Sequence, residues 1–156
     1  MFFNTKSFNK PINNWDTSQV TNMVCMFNYA LNFDQQLDNW NTSQVRNMDS
    51  MFSYSIFNHP INNWDVSNVT KMREMFGSSE FNQPLDNWNV SNVEDMSQMF
   101  FRAKKFNQSL NNWDTSQVTN MSDMFYGASS FNQSLNSWNT LNDLESDEED
   151  SSEEEI

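Results

Sequence analysis

The sequence predicts a repeat solenoid of about six coils, made of parallel β-strands and short helical turns, and three observations carry that prediction. Tryptophans stand at 15, 40, 64, 88, 113 and 138, at spacings of 25, 24, 24, 25 and 25. Met-Phe pairs keep the same beat from Met1-Phe2 through Met26-Phe27, Met51-Phe52, Met75-Phe76, Met99-Phe100 and Met124-Phe125. Within each period, apolar residues recur at fixed places in a background of Asn, Ser, Gln and Asp. One unit cannot bury its Trp, Leu, two Met and two Phe alone, whereas identical units stacked in register cover one another.

The strand comes first in each unit. Leu85, Trp88 and Val90 follow an L-x-x-L-x-L rhythm whose last two positions alternate as in a half-buried strand. Val90 is matched by Thr17, Thr42, Val66, Thr115 and Thr140, all β-branched. The helical turn comes next: Val93, Met96, Phe100 and Ala103 lie at i, i+3, i+7 and i+10, with Met99 beside them. Ser91 and Glu94 fit a capping box at its start. Last comes a loop that is one residue shorter after Phe52 and Phe76 than after Phe27, Phe100 and Phe125. It reads as a surface turn, because a deletion inside a strand or helix would turn every later side chain onto the wrong face. Parallel pairing at about 4.8 Å makes six coils a rod of roughly 30 Å. Asn14, Asn39, Asn63, Asn87 and Asn112 are expected to form an amide ladder along it.

The domain reading is a solenoid over residues 1–141 and an acidic disordered tail over 142–156. Nine of the 21 acidic residues lie in the tail, where self-repulsion and a lack of apolar groups oppose ordering. The first coil opens in mid-repeat without a polar cap, so that end is expected to meet a partner, another copy end to end, or further sequence.

A formal charge of −13 argues against a sequence-independent grip on nucleic acid and against anionic membranes. No stretch approaches the roughly 20 apolar residues of a membrane span, and no signal peptide is visible. Localisation therefore reads as intracellular or virion-associated rather than secreted. Cys25 is the single cysteine, which excludes an intrachain disulfide and a thiol metal cluster. His59 is the single histidine, stands beside Pro60 and reads as a surface variant rather than the hub of a nucleophilic triad. The Trp and Met columns read as core rather than as a stacking platform or a soft-metal site. No carboxylate pair has a glycosidase or protease context. Calcium coils need Gly-rich turns, and this chain has two glycines. Asn-x-Ser/Thr sequons, as at Asn41, Asn68 and Asn89, arise by chance in an Asn-rich repeat, and Ser146, Ser151 and Ser152 read as solvated tail.

The unit Phe-Asn-Gln-Pro-Leu-Asp-Asn-Trp-Asn-Val-Ser-Asn-Val-x-x-Met-x-x-Met-Phe, spelled by residues 81 to 100, resembles the repeat of the BspA-type leucine-rich-repeat surface proteins, known as mycoplasma surface lipoproteins among others. The resemblance runs from residue 1 to about 141. It implies a leucine-rich-repeat-like solenoid and an adhesin or interaction role. The lipoprotein signal and lipidation cysteine of surface-anchored members are not seen here, since Cys25 lies inside a repeat.

The functional expectation is a non-enzymatic interaction or adhesion-type repeat protein, without cofactor, that offers a polar surface to a protein or glycan partner. Tyr29, Tyr54 and Tyr126 are the expected contacts, because the core has no need of them at loop positions. Two alternatives are a structural component of a larger assembly, such as a virion or surface array, and binding of a basic partner through the acidic tail.

Overall fold

A computed structural model describes residues 2–138. The acidic tail and Thr140 fall outside them. Among the described residues there is no helix and no extended strand, only isolated parallel bridges that link Asn22, Asn47, Lys71, Asp95 and Asn120 in succession. The expected leucine-rich-repeat-like architecture of parallel strands and helical turns is therefore corrected: each coil is a chain of β-turns.

The segment that reads as helical shows why. The amides of Met96, Gln98, Phe100 and Arg102 donate along the stack to the carbonyls of Asn120, Ser122, Met124 and Tyr126 in the next coil, at 2.7–2.9 Å. The amides between them, on Met99, Phe101 and Ala103, close four-residue β-turns back to Met96, Gln98 and Phe100. Alternate peptide groups thus bond between coils and within a coil, whereas a helix would spend every amide inside its own segment. A helix this short is marginal in water, so bonds to the neighbouring coil win. The alternation needs left-handed backbone twice per coil. One series is Cys25, Ser50, Glu74, Gln98 and Asp123, and the other is Asn4, Tyr29, Tyr54, Ser78, Arg102 and Gly127. An apolar spacing of three and four residues is common to a helix and to this run of turns, which is how the sequence reading went wrong.

The expected strand is interrupted in the same way. The Trp88 amide closes a turn onto Leu85, and the Val93 amide closes another onto Val90. Ser91 does not cap a helix; its amide and hydroxyl both reach Asn89 Oδ1. The coils are joined here by side chains. Trp40, Trp64, Trp88, Trp113 and Trp138 each donate Nε1–H to the carbonyl of Ile12, Leu37, Ile61, Leu85 or Leu110 in the preceding coil, at 3.0–3.1 Å. Thr17 and Thr42 donate their hydroxyls to Asn41 and Asp65 in the following one.

Equivalent side chains lie over one another. Phe27, Phe52, Phe76, Phe100 and Phe125 form a column with centroids 5.5–5.9 Å apart and rings within 10° of parallel. Trp40 stacks on Trp64 at 6.4 Å, and Trp88, Trp113 and Trp138 continue at 6.4 and 6.1 Å. Trp15 departs from the core reading, at 44% exposure.

An amide ladder exists, though not at the expected column. The carboxamide oxygens of Asn9, Asn58, Asn82 and Asn107 each accept a backbone amide and a Gln side chain from the next coil, as Asn82 Oδ1 does from Asn107 and Gln108. In the expected column Asn63 instead donates to the Asp38 carbonyl, and the backbone amides of Asn39 and Asn87 are held by Asn13 and Asn62. Asn-Trp and Phe-Asn both recur along the chain, so only the fold distinguishes them.

The loop deletion has a precise location. In long loops the repeat's second Phe donates its amide to a backbone carbonyl, Phe33 to Ala30 and Phe106 to Ala103. In the short loops Ser55 Oγ and Ser79 Oγ accept that amide instead, at 3.3 and 3.4 Å, and Ser79 also donates to the Phe76 carbonyl. Ser79→Ala takes the acceptor from the buried Phe81 amide, while the Phe76 carbonyl keeps the backbone amide of residue 79, and is expected to cost about 1–2 kcal/mol by urea denaturation. Ala103→Ser, where the longer loop already satisfies the amide, gains no comparable stability.

Asp16, Asp65 and Asp114 sit at the start of tight turns and accept the hydroxyl and amide of Ser18, Ser67 and Ser116, which hold their carboxyls below the ordinary value. A depressed carboxyl contributes stability that is present above its unfolded value, near pH 4, and is lost as pH falls through the folded one. Stability should thus be level from neutrality down to about pH 5 and decline below it. Asp65→Asn, matching Asn41 and Asn89 in the same column, is expected to shallow that decline in acid-titrated thermal melts.

Candidate partner-binding edge

The loops after each Met-Phe pair stack into one edge of the molecule. Amides of Asn4, Tyr29, Tyr54, Ser78 and Arg102 donate successively to Asn28, Ser53, Gly77, Phe101 and Tyr126, so residues at the second left-handed position form a row. In this row Tyr29 and Tyr54 are exposed.

Tyr29 and Tyr54 stack at 4.3 Å and 9°. Partial burial, then the hydrogen bond to Tyr54, then the nearby Tyr54 and Glu74 charges raise the Tyr29 phenol above its ordinary value. Leu31 and Ile56, each 41% exposed, stand on the same two loops. Tyr126 belongs to a different cluster, stacked on Phe101 at 5.4 Å, with the Arg102 guanidinium 5.1 Å from that Phe101 ring. The Gly77-Ser78 loop separates the two clusters. Of the three expected tyrosines, then, the fold brings two together and places the third two loops beyond the gap. The sequence reading missed Leu31, Ile56, Phe101 and Arg102, whose signal was the alignment of successive loops rather than any single residue.

Beneath Tyr29 and Tyr54, the Glu74 carboxylate accepts the hydroxyls of Ser50 and Ser53 at 3.3 and 3.1 Å. Gly77 makes room for it, since a Cβ there would lie 2.6 Å from Glu74 Cγ. Cys25 is half-buried, and its thiol is pushed up by burial and then by the charges of Glu74 and Asp49, the reverse of what a nucleophilic thiolate requires. His59 lies on the surface, its Nε2 3.1 Å from Asp34 Oδ1 and 3.0 Å from the Asp34 carbonyl, above a shallow depression bordered by Pro11, Gln35 and Gln36. Among the described residues no three His, Cys, Asp or Glu side chains converge as metal ligands, and no helix is long and apolar enough to cross a membrane.

Residues 1–80 and 55–150 match a family described as Mycoplasma protein of unknown function, DUF285. The chain belongs to this family. Its two overlapping matches together span the repeats, and the DUF285 unit here is a coil of turns whose amides bond to the neighbouring coils. No curated protein and no solved structure matches the chain.

Proposed function

We propose that this DUF285 chain is a non-enzymatic interaction protein whose loop edge contacts a protein or glycan partner. The observation that carries the reading is the exposed Tyr29–Tyr54 stack flanked by Leu31 and Ile56. Four large apolar side chains on adjacent loops contribute little to the core, and such patches mark interaction surfaces. The resemblance of the repeat to BspA-type surface proteins, with their adhesin-like roles, supports the same reading.

The test compares the native chain with a Tyr29→Ser/Tyr54→Ser/Tyr126→Ser variant for retention of partners from native extract and on a glycan array. The variant is expected to keep its thermal midpoint, to keep its Trp circular dichroism, and to lose at least tenfold in partner retention, roughly 1.4 kcal/mol or more. Equal retention by the two proteins would overturn the proposal.

A further inference from the structure

Charge is distributed unevenly between the loop edge and the rest of the molecule. Segments 3–7, 28–32, 53–56, 77–80, 101–105 and 126–130 hold four of the eight basic residues, Lys6, Arg102, Lys104 and Lys105, and one of the twelve acidic residues that precede Asp143, Glu80. These segments are net positive by three, or by two with the Glu74 carboxylate beneath the tyrosines counted in, while the remainder of residues 2–138 is net negative by seven, or by six on that count. Lys105 and Glu80 pair with each other across adjacent loops, which leaves the exposed Arg102 and Lys104 as the accessible cations beyond the gap at Ser78. On the other side of the tyrosine pair stands the exposed Lys6, whose loop is tied to the next by Asn32 donating to the Lys6 carbonyl. An apolar patch is thus bracketed by cations on a net positive edge of an acidic protein.

Deepening the interaction role proposed above, on which this rests, we propose that the loop edge docks an acidic peptide segment of a partner protein, with an aromatic or aliphatic anchor seated on Tyr29, Leu31, Tyr54 and Ile56 and its carboxylates on Arg102 and Lys104. Tyr29 and Tyr54 each cover one ring face with the other, so a sugar ring, which lies flat on an aromatic face, finds only one face and the rim of each. Aliphatic Leu31 and Ile56 beside those rims suit a side-chain anchor. An extended anionic surface such as a membrane would also meet the acidic faces, whereas a peptide confined to this edge is screened from them beyond about 8 Å at physiological salt.

The experiment uses the full chain and fluorescence anisotropy with a labelled peptide, Glu-Glu-Phe-Glu-Glu-Leu-Glu-Asp. Its controls are a version with Ser for Phe and Leu, a version with Lys for every acid, and phosphatidylserine vesicles. Only the first peptide is expected to bind, more weakly at high salt, and Tyr29→Ser/Tyr54→Ser and Arg102→Glu/Lys104→Glu are each expected to weaken it at least tenfold without moving the thermal midpoint. Preference for the Lys peptide or for vesicles, or indifference to the Arg102 and Lys104 reversal, overturns the proposal. Binding seen only after Glu153, Glu154 and Glu155 become Gln also overturns it, by assigning the edge to the chain's own acidic segment. If no peptide binds while the tyrosine variant still loses a partner recovered from extract, the acidic-peptide assignment falls and the interaction role stands. If the tyrosine variant loses nothing, both fall.

Discussion

Trp64→Ala is expected to destabilise the chain by about 3–5 kcal/mol, the range for emptying a large buried aromatic site, and to be among its most damaging single changes. Trp64 is 3% exposed, stacks on Trp40, meets Phe52 at 6.2 Å and donates Nε1–H to the Leu37 carbonyl. Trp64→Phe separates the two contributions. It retains much of the apolar contact and removes one of two donors to the buried Leu37 carbonyl, which keeps the Trp40 amide, an expected loss of about 0.5–1.5 kcal/mol. The same substitution at the exposed Trp15 is expected to change stability by less than about 1 kcal/mol. Chemical denaturation monitored by circular dichroism ranks the three. Equal losses at positions 15 and 64 would contradict the bolting of each coil to its predecessor through the indole.

Gln98 provides a test in which helix and turn predict opposite signs. Its φ is +57° and its amide donates to Ser122 in the next coil. Proline can neither adopt that φ nor donate, so Gln98→Pro is expected to cost about 3 kcal/mol or more. Glycine is at ease there, and Gln98→Gly is expected to stabilise by about 0.5–1 kcal/mol, net of its greater freedom in the unfolded chain and the loss of a long contact to Asp123. In a helix the same change would cost about 1 kcal/mol. A lowered melting temperature for Gln98→Gly would therefore count against left-handed backbone at this position. Asp123→Gly, at the equivalent place one coil later, gives an independent reading of the sign.

Periodicity was the most legible property. The positions of Trp, Met and Phe set the repeat length and named the side chains that stack, and the loop with the variable residue was found by counting alone. Backbone conformation inside the coil was not legible. Val93, Met96, Phe100 and Ala103 have a helix-compatible spacing, and the residues at left-handed positions, Cys25, Ser50, Glu74, Gln98 and Asp123, share no side-chain chemistry that would announce them. A column of glycines would have done so; only Gly127, in the other series, hints at it. The candidate edge was half legible, since tyrosines in loops invite notice, while the company of Leu31, Ile56 and Arg102 depends on which loops touch.

What the sequence determined by itself was that units of 24 and 25 residues must share a core, because each carries more apolar surface than it can bury and carries it at constant intervals. What only the tertiary structure decided was how each amide is satisfied. An amide can bond within its own segment or to the coil beside it, and the balance turns on a neighbour lying in register a few ångströms away. That neighbour is the next repeat, 24 or 25 residues along the chain, and no local stretch of sequence contains it.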